Sequence, residues 1–234
     1  MAQLLWVLLF ALTIVCFTIP SRYTLYKLGG IAGFAGTVAL PLWLLRSAKW
    51  SRRIFAALCA VAAFVACFLI LPKRPYDSRD LRREYVRSLL SYTGAKYVWG
   101  GGNRLGIDCS GLVEQALVDA LVRRGAATLN SGLARDGLSL WWHNRSARAL
   151  GEGYRGDTRL VSEIASLNAA DYRSIAPGDL AVLSDGIHVL AYIGDQTWIE
   201  ADPVPGKVVI ALAPQDGDFY FNSPVKIMRW RVLD

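Results

Sequence analysis

The chain has 234 residues, a formal net charge of +7 and 53% hydrophobic residues, enough for one domain of ordinary size and a smaller region beside it. The charge is unevenly placed: residues 1–74 hold eight basic residues and no acid, whereas the remainder holds 18 basic and 19 acidic residues. That distribution argues against a basic face for nucleic acid on the C-terminal part.

Three stretches, Gln3 to Ile19, Leu28 to Leu45 and Ile54 to Leu71, are apolar and free of charge over 17–18 residues. This is the lower limit for crossing a bilayer. A membrane region over 1–74 with three transmembrane helices (about 3–19, 28–45 and 54–71) is expected. A secretory signal is the rival reading of the first stretch, but no Lys or Arg precedes it and two further stretches follow. Gly29-x-x-x-Gly33 in the second stretch has the spacing that lets helices approach closely. Arg46, Lys49, Arg52 and Arg53 lie between the second and third stretches, against only Arg22 and Lys27 between the first and second. Positive loops stay inside, which puts the C-terminal domain outside the cytoplasm. Lys73, Arg74, Arg79, Arg82 and Arg83 pull the other way, with Asp77, Asp80 and Glu84 interspersed. Cys16, Cys59 and Cys67 all fall in apolar stretches, so Cys109 has no internal disulfide partner in the domain 75–234.

Lys73 to Asp77 reads as a linker. A helix is expected from Ser78 through Leu81, Tyr85, Leu89 and Leu90, stopping near Gly94. Next comes YVWGGGNRLGIDCSGLVEQAL, Tyr97 to Leu117, around which the domain is organised. Leu112, Val113, Ala116, Leu117, Ala120 and Leu121 recur at helical spacing, and Arg123, Arg124 and Gly125 are stop signals. Cys109 therefore opens a helix, where free N–H groups and the macrodipole favour an anion such as a thiolate and can also hold an oxyanion. Cysteine is more often a small buried hydrophobe; the polar flanks Asp108 and Ser110 and the open Gly111 argue for chemistry. Asp108 also reads as an N-cap.

Thr128 to Asp136 reads as a loop, and Leu138 to Trp142 and Leu160 to Leu167 as short helices. After the Pro177-Gly178-Asp179 turn come five short strands, Leu180–Leu183, Ile187–Ile193, Thr197–Ala201, Lys207–Ala211 and Val225–Val232, with tight connections at Asp185-Gly186 and Gly194-Asp195. Helices first and sheet second make an α+β domain. A thiol nucleophile needs an imidazole, and the chain has two: His143 in the irregular middle and His188 at a strand start.

The run Tyr97-Val98-Trp99-Gly100-Gly101, followed by Asp108-Cys109-Ser110-Gly111-Leu112-Val113, resembles the signature of the NlpC/P60 family of papain-like cysteine peptidases. The resemblance implies a papain-like domain with helices packed on an antiparallel sheet, Cys109 as nucleophile, and His188, which follows a Pro-Gly-Asp turn as the family histidine does, as general base. The family's third residue lies on the next strand, which points to Glu200 where the family commonly has His; Asp202, on the same strand face, is the fallback. Tyr97, Asp108 and Ser110 match cleft residues that can recognise the free amine of a peptide stem. The implied activity is hydrolysis of an amide in peptidoglycan stems, typically γ-D-glutamyl-diamino acid, by an enzyme of the bacterial inner membrane with an extracytoplasmic domain. No metal, other cofactor or nucleic acid is called for. Two rival readings are a thiol acyltransferase or transpeptidase and a silent wall-binding scaffold.

Overall fold

The computed structural model describes residues 2–44 and 49–234. Leu45 and Arg46, used above for a span boundary and for orientation, lie outside the described residues. The N-terminal region forms α1 (Ala2–Thr18), α2 (Thr24–Leu44) and α3 (Lys49–Ile70). Among the described residues two helices, Thr24–Leu44 and Arg52–Ile70, are long and apolar enough to cross a membrane. This corrects the expected three. Helix α1 has 17 residues, about 26 Å at the helical rise, short of a hydrocarbon core of about 30 Å.

Helix α1 instead packs along α2 as a hairpin. A Cβ on Gly33 would lie 2.8 Å from Thr13 Oγ1, and one on Gly29 2.9 Å from Cys16 Sγ. The Gly29-x-x-x-Gly33 pattern is thus the strip on which α1 rests. Trp6 Nε1 donates to the Thr37 carbonyl at 3.0 Å across the same contact.

The linker 71–77 is tied down by the domain it leads into. Ser131 Oγ donates to the Leu71 carbonyl at 2.7 Å, Asn130 Nδ2 donates to the Arg74 carbonyl at 2.8 Å, and Lys73 pairs with Asp136 at 2.6 Å. Helix α4 (Ser78–Leu90) starts on an Asp77 cap whose carboxylate accepts from Arg79 N. A hairpin of β1 (Gly102–Asn103) and β2 (Gly106–Ile107) leads into α5 (Cys109–Ala127).

Helix α5 runs past the expected stop. Gly125 lies inside it because α6 (Ser131–Trp142) crosses there: a Cβ on Gly125 would come within 2.9 Å of Ala134 N. The stop is a Schellman motif, with Asn130 N donating to Gly125 O at 2.8 Å and Leu129, φ 48°, taking the left-handed position. The expected loop at 128–136 is also corrected, since Asn130 Oδ1 accepts from Gly132 N and Leu133 N and so starts α6 within it. A short α7 (Ala147–Gly151) follows.

The expected helix at 160–167 is a strand, β3 (Thr158–Ile164), held by antiparallel pairing with β8 (Val225–Trp230). The strands β4 (Leu180–Leu183), β5 (Val189–Gly194), β6 (Thr197–Asp202) and β7 (Lys207–Leu212) complete a six-stranded sheet in the order β3-β8-β4-β5-β6-β7. Every pairing in it is antiparallel.

Alternation along the strands separates two cores. Val189, Ala191, Ile199 and Ala201 join Leu112, Val113, Leu117 and Leu121 of α5. Leu190, Tyr192 and Trp198 join Phe221, Ile227 and Leu167 on the other side. Each fully buried aliphatic side chain contributes about 1.5–3 kcal/mol, so α5 is fixed on the sheet along its length. The consequence is an α+β domain that presents the first turn of α5 beside the mouth of β5.

Candidate active site

Cys109 is the first residue of α5 and is 7% exposed. Asp108 before it has extended backbone, φ −100° and ψ 178°, and its Oδ1 accepts from Gly111 N at 2.6 Å. Its Oδ2 accepts from Gly100 N at 2.9 Å. The turn therefore fits closely. A Cβ on Gly111 would sit 2.2 Å from the Gly101 carbonyl oxygen, so the gap left by Gly111 is filled by this chain's own glycine run. The thiol stands at the positive end of a 19-residue helix.

His188 occupies the turn before β5, reached through Gly186 at φ 77°. It is 3% exposed, and its Nε2 lies 2.6 Å from Oε2 of Glu200 in the middle of β6. Burial opposes the charged imidazole, but hydrogen bonds to Cys109 and Glu200 outweigh it and raise the His188 pKa to about 9. Burial pushes the Glu200 carboxyl upward against the attraction of His188. Tyr220, in the short helix α8 (Phe219–Asn222), stacks on the imidazole.

Cys109 and His188 open into one cleft of about 640 Å³, whose walls include Tyr97, Trp99, Asp108, Ser110, Arg148 and Tyr220. Trp99 stands at its lip, 80% exposed. Burial, with the nearby Cys109 and Asp108, pushes the Tyr97 phenol up to about 12; burial with Asp202 and Glu200 does the same for Tyr220, also to about 12. Both phenols are therefore neutral hydrogen-bond donors at neutral pH. Residues 144–147 form a further wall, and the N-terminal hairpin contributes too: Arg22 and Tyr23, in the loop between α1 and α2, line the same cleft.

A sequence model of the NlpC/P60 family matches residues 94–221, which is more than half of the chain and spans the cysteine, the histidine and the glutamate. The chain belongs to the NlpC/P60 family. Solved structures similar to it include NlpC1 from Trichomonas vaginalis, 22% identical with a TM-score of 0.43, covering 68% of this chain and 46% of that one. An NlpC/P60 family protein from Bacillus cereus is 19% identical at a TM-score of 0.43, covering 70% and 42%. The peptidoglycan hydrolase RipB from Mycobacterium tuberculosis is 19% identical at 0.40, covering 83% and 90%. This chain thus spans under half the length of the first two. No curated protein matches it.

Of the residues that the NlpC/P60 signature singles out, Tyr97, Asp108, Cys109, Ser110 and His188 all line the cleft, and Glu200 stands behind His188. Asp202 has a different neighbour: its Oδ1 accepts from Val204 N at 2.8 Å in the turn after β6. His143 ends α6, its Nδ1 2.9 Å from the Ser139 carbonyl. Among the described residues no group of three or more His, Cys, Asp or Glu is placed to hold a metal. Sequence reasoning missed several cleft residues, Tyr220 and Arg22 among them. Tyr220 carried a signal in Asp218, whose side chain caps its helix. Arg22 carried none beyond its charge.

Proposed function

We propose that the chain is a membrane-anchored cysteine endopeptidase that hydrolyses an amide bond in peptidoglycan stem peptides, the one between γ-D-glutamate and the diamino acid. Helices α2 and α3 are the anchor, and the domain stands outside the cytoplasm. One observation carries the reading. Cys109 heads a helix in the same cleft as His188, whose Nε2 is engaged by Glu200 at 2.6 Å, leaving Nδ1 for the thiol.

In this reading His188 takes the Cys109 proton, and the sulfur bonds to the substrate carbonyl carbon. Backbone N–H groups in the first turn of α5 face the oxyanion. His188 then gives its proton to the leaving amine as the C–N bond breaks. Water, deprotonated by the same imidazole, attacks the thioester and releases the acid and the thiol. Glu200 orients the ring and stabilises its charged form. Tyr97, Asp108 and Ser110 form the substrate wall.

The test is mass spectrometry of purified wall peptides incubated with the full chain in detergent, wild type beside Cys109→Ala. The expected result is cleavage of one amide with the mass of one water added, absent in the variant. A folded wild-type chain that leaves every peptide intact, or that joins fragments to an amine in place of water, overturns the hydrolase reading.

A further inference from the structure

The loop joining α1 to α2 is knitted into the cleft from both sides. Arg22 N donates to the Gly100 carbonyl at 3.1 Å, and Gly102 N donates to the Pro20 carbonyl at 2.9 Å. From the far wall, Asn144 Nδ2 donates to the Arg22 carbonyl. The Arg22 guanidinium then reaches the acid beside the nucleophile. Its Nη2 is 3.1 Å from both oxygens of Asp108 and 2.8 Å from Ser110 Oγ, while Nη1 donates to the Arg145 carbonyl at 3.2 Å. Beneath it, Glu114 Oε2 lies 3.8 Å from Nη1. A Cβ on Gly102 would come within 2.1 Å of Arg22 Cγ, so the last glycine of the Gly100-Gly101-Gly102 run makes room for this side chain.

These contacts exhaust Asp108. A carboxylate has about four acceptor sites. Those of Asp108 already take Gly111 N, Gly100 N, Ser110 Oγ and Arg22. Asp108 is also the one carboxylate among the described residues lining the cleft; of the arginines there, Arg22 pairs with Asp108 and the buried Arg145 with Asp157 at 2.5 Å, so the charge left facing the cleft is that of Arg148. Arg148 is exposed, and the partner described for its guanidinium is the neutral Asp185 carbonyl at 3.2 Å. An entering ammonium meets the Arg148 guanidinium and no free acid. A carbonyl oxygen finds donors in Arg148 and in the hydroxyls of Tyr97 and Tyr220, which line the same cleft.

We propose that Arg22 is a specificity-determining residue that turns the amine-binding end of the cleft into an acceptor-binding one, so that the enzyme selects stems whose N-terminal nitrogen is acylated over peptides with a free amine. The proposal rests on the peptidase reading and narrows its substrate. Stems still joined to the glycan, or to a glycan precursor, are acylated there; released peptides are not.

The experiment compares two synthetic stem peptides, identical except for a free or an N-acetylated terminus, on the full chain in detergent. Binding is measured by calorimetry in the Cys109→Ala background, and kcat/KM by product analysis with the thiol present. The acylated peptide is expected to lead by about tenfold or more. Arg22→Gln is expected to erase that lead by freeing Asp108 for the ammonium, and Arg22→Lys to keep it. Because the readout is a ratio on one preparation, a smaller folded fraction in a variant cancels. Equal or tighter binding of the free amine, no binding of the acylated peptide, or an unchanged ratio in Arg22→Gln overturns the proposal. Binding of the acylated peptide without cleavage overturns the peptidase reading instead, and the binding ratio still decides the role of Arg22.

Discussion

Tyr220 lies flat on the ring of His188, with centroids 4.0 Å apart and planes within 7° of parallel. The stack fixes the rotation of the imidazole, which the bond to Glu200 alone leaves free to swing. Tyr220→Phe keeps the ring and is expected to change kcat by less than about twofold. Tyr220→Ala is expected to lower it about three- to tenfold, matching the usual worth of an aromatic pair. Steady-state kinetics on wall peptides separate the two, and equal rates would dismiss the stack.

Glu200→Gln keeps the shape of the side chain that meets His188 and removes its charge. Turnover is expected to fall by at least about tenfold with the melting temperature little changed. The hydrogen bond and charge of Glu200 both help raise His188 to about 9. In the proposed mechanism the protonated imidazole releases the amine, so activity is expected to decline above that pH in the wild type. The decline should move to lower pH in the variant, and a pH–rate profile reads it directly.

The same shift predicts how stability depends on pH. A histidine whose pKa rises from 6.5 to about 9 on folding contributes stabilisation that is fully present below pH 6.5 and is lost as pH climbs through about 9. The difference amounts to about 3 kcal/mol. Melting curves between pH 6 and 10 are expected to fall more steeply for the wild type than for His188→Gln. Parallel curves would contradict the coupling.

Gly111→Ala tests the closeness of the turn around Cys109. The added Cβ would meet the Gly101 carbonyl oxygen at 2.2 Å, and backbone on both sides leaves little to yield. A loss of about 1–3 kcal/mol and a fall in activity are expected. An unaltered melting temperature would show that the glycine run relaxes.

Asp179, in the Pro177-Gly178-Asp179 turn, is fully buried and held by Arg229 through two bonds of 2.7 and 2.6 Å, with Ala176 N donating at 2.8 Å. Asp179→Ala leaves the Arg229 guanidinium beside a void. A loss of about 3–5 kcal/mol is expected, larger than for any single change at the cleft, and thermal denaturation measures it.

The meeting of Cys109 and His188 in one cleft was legible because each sits at an element boundary that local chemistry marks. Asp108 caps α5 and Gly186 turns into β5, so Cys109 and His188 are placed by neighbours within three residues. Glu200 needed the family pattern in addition, since period-two alternation puts Asp202 on the same face. Only the end of helix α6, Leu138 to Trp142, was legible, because Gly132 and Gly137 make its first turns look like loop; the cap on Asn130 and the burial of Leu133 and Leu140 against the domain carry the helix back to Ser131. Strand β3 was hidden for the opposite reason. Leu160, Val161, Ile164 and Leu167 have helical spacing, and only pairing with β8 overrides it. Arg22 was out of reach because its partner lies 86 residues away, and no period or cap connects them.

The hairpin loop also separates two boundaries that hydropathy alone would merge. The apolar region ends near residue 71, yet the contacts of Pro20 and Arg22 with Gly100, Gly102 and Asp108 belong to the cleft. A chain cut at residue 75 would keep Cys109, His188 and Glu200 and would uncover an unneutralised Asp108 beside the thiol. If Arg22 acts as proposed, such a fragment would differ from the full chain in admitting amines at Asp108. Substrate preferences taken from the excised domain would then describe the excision.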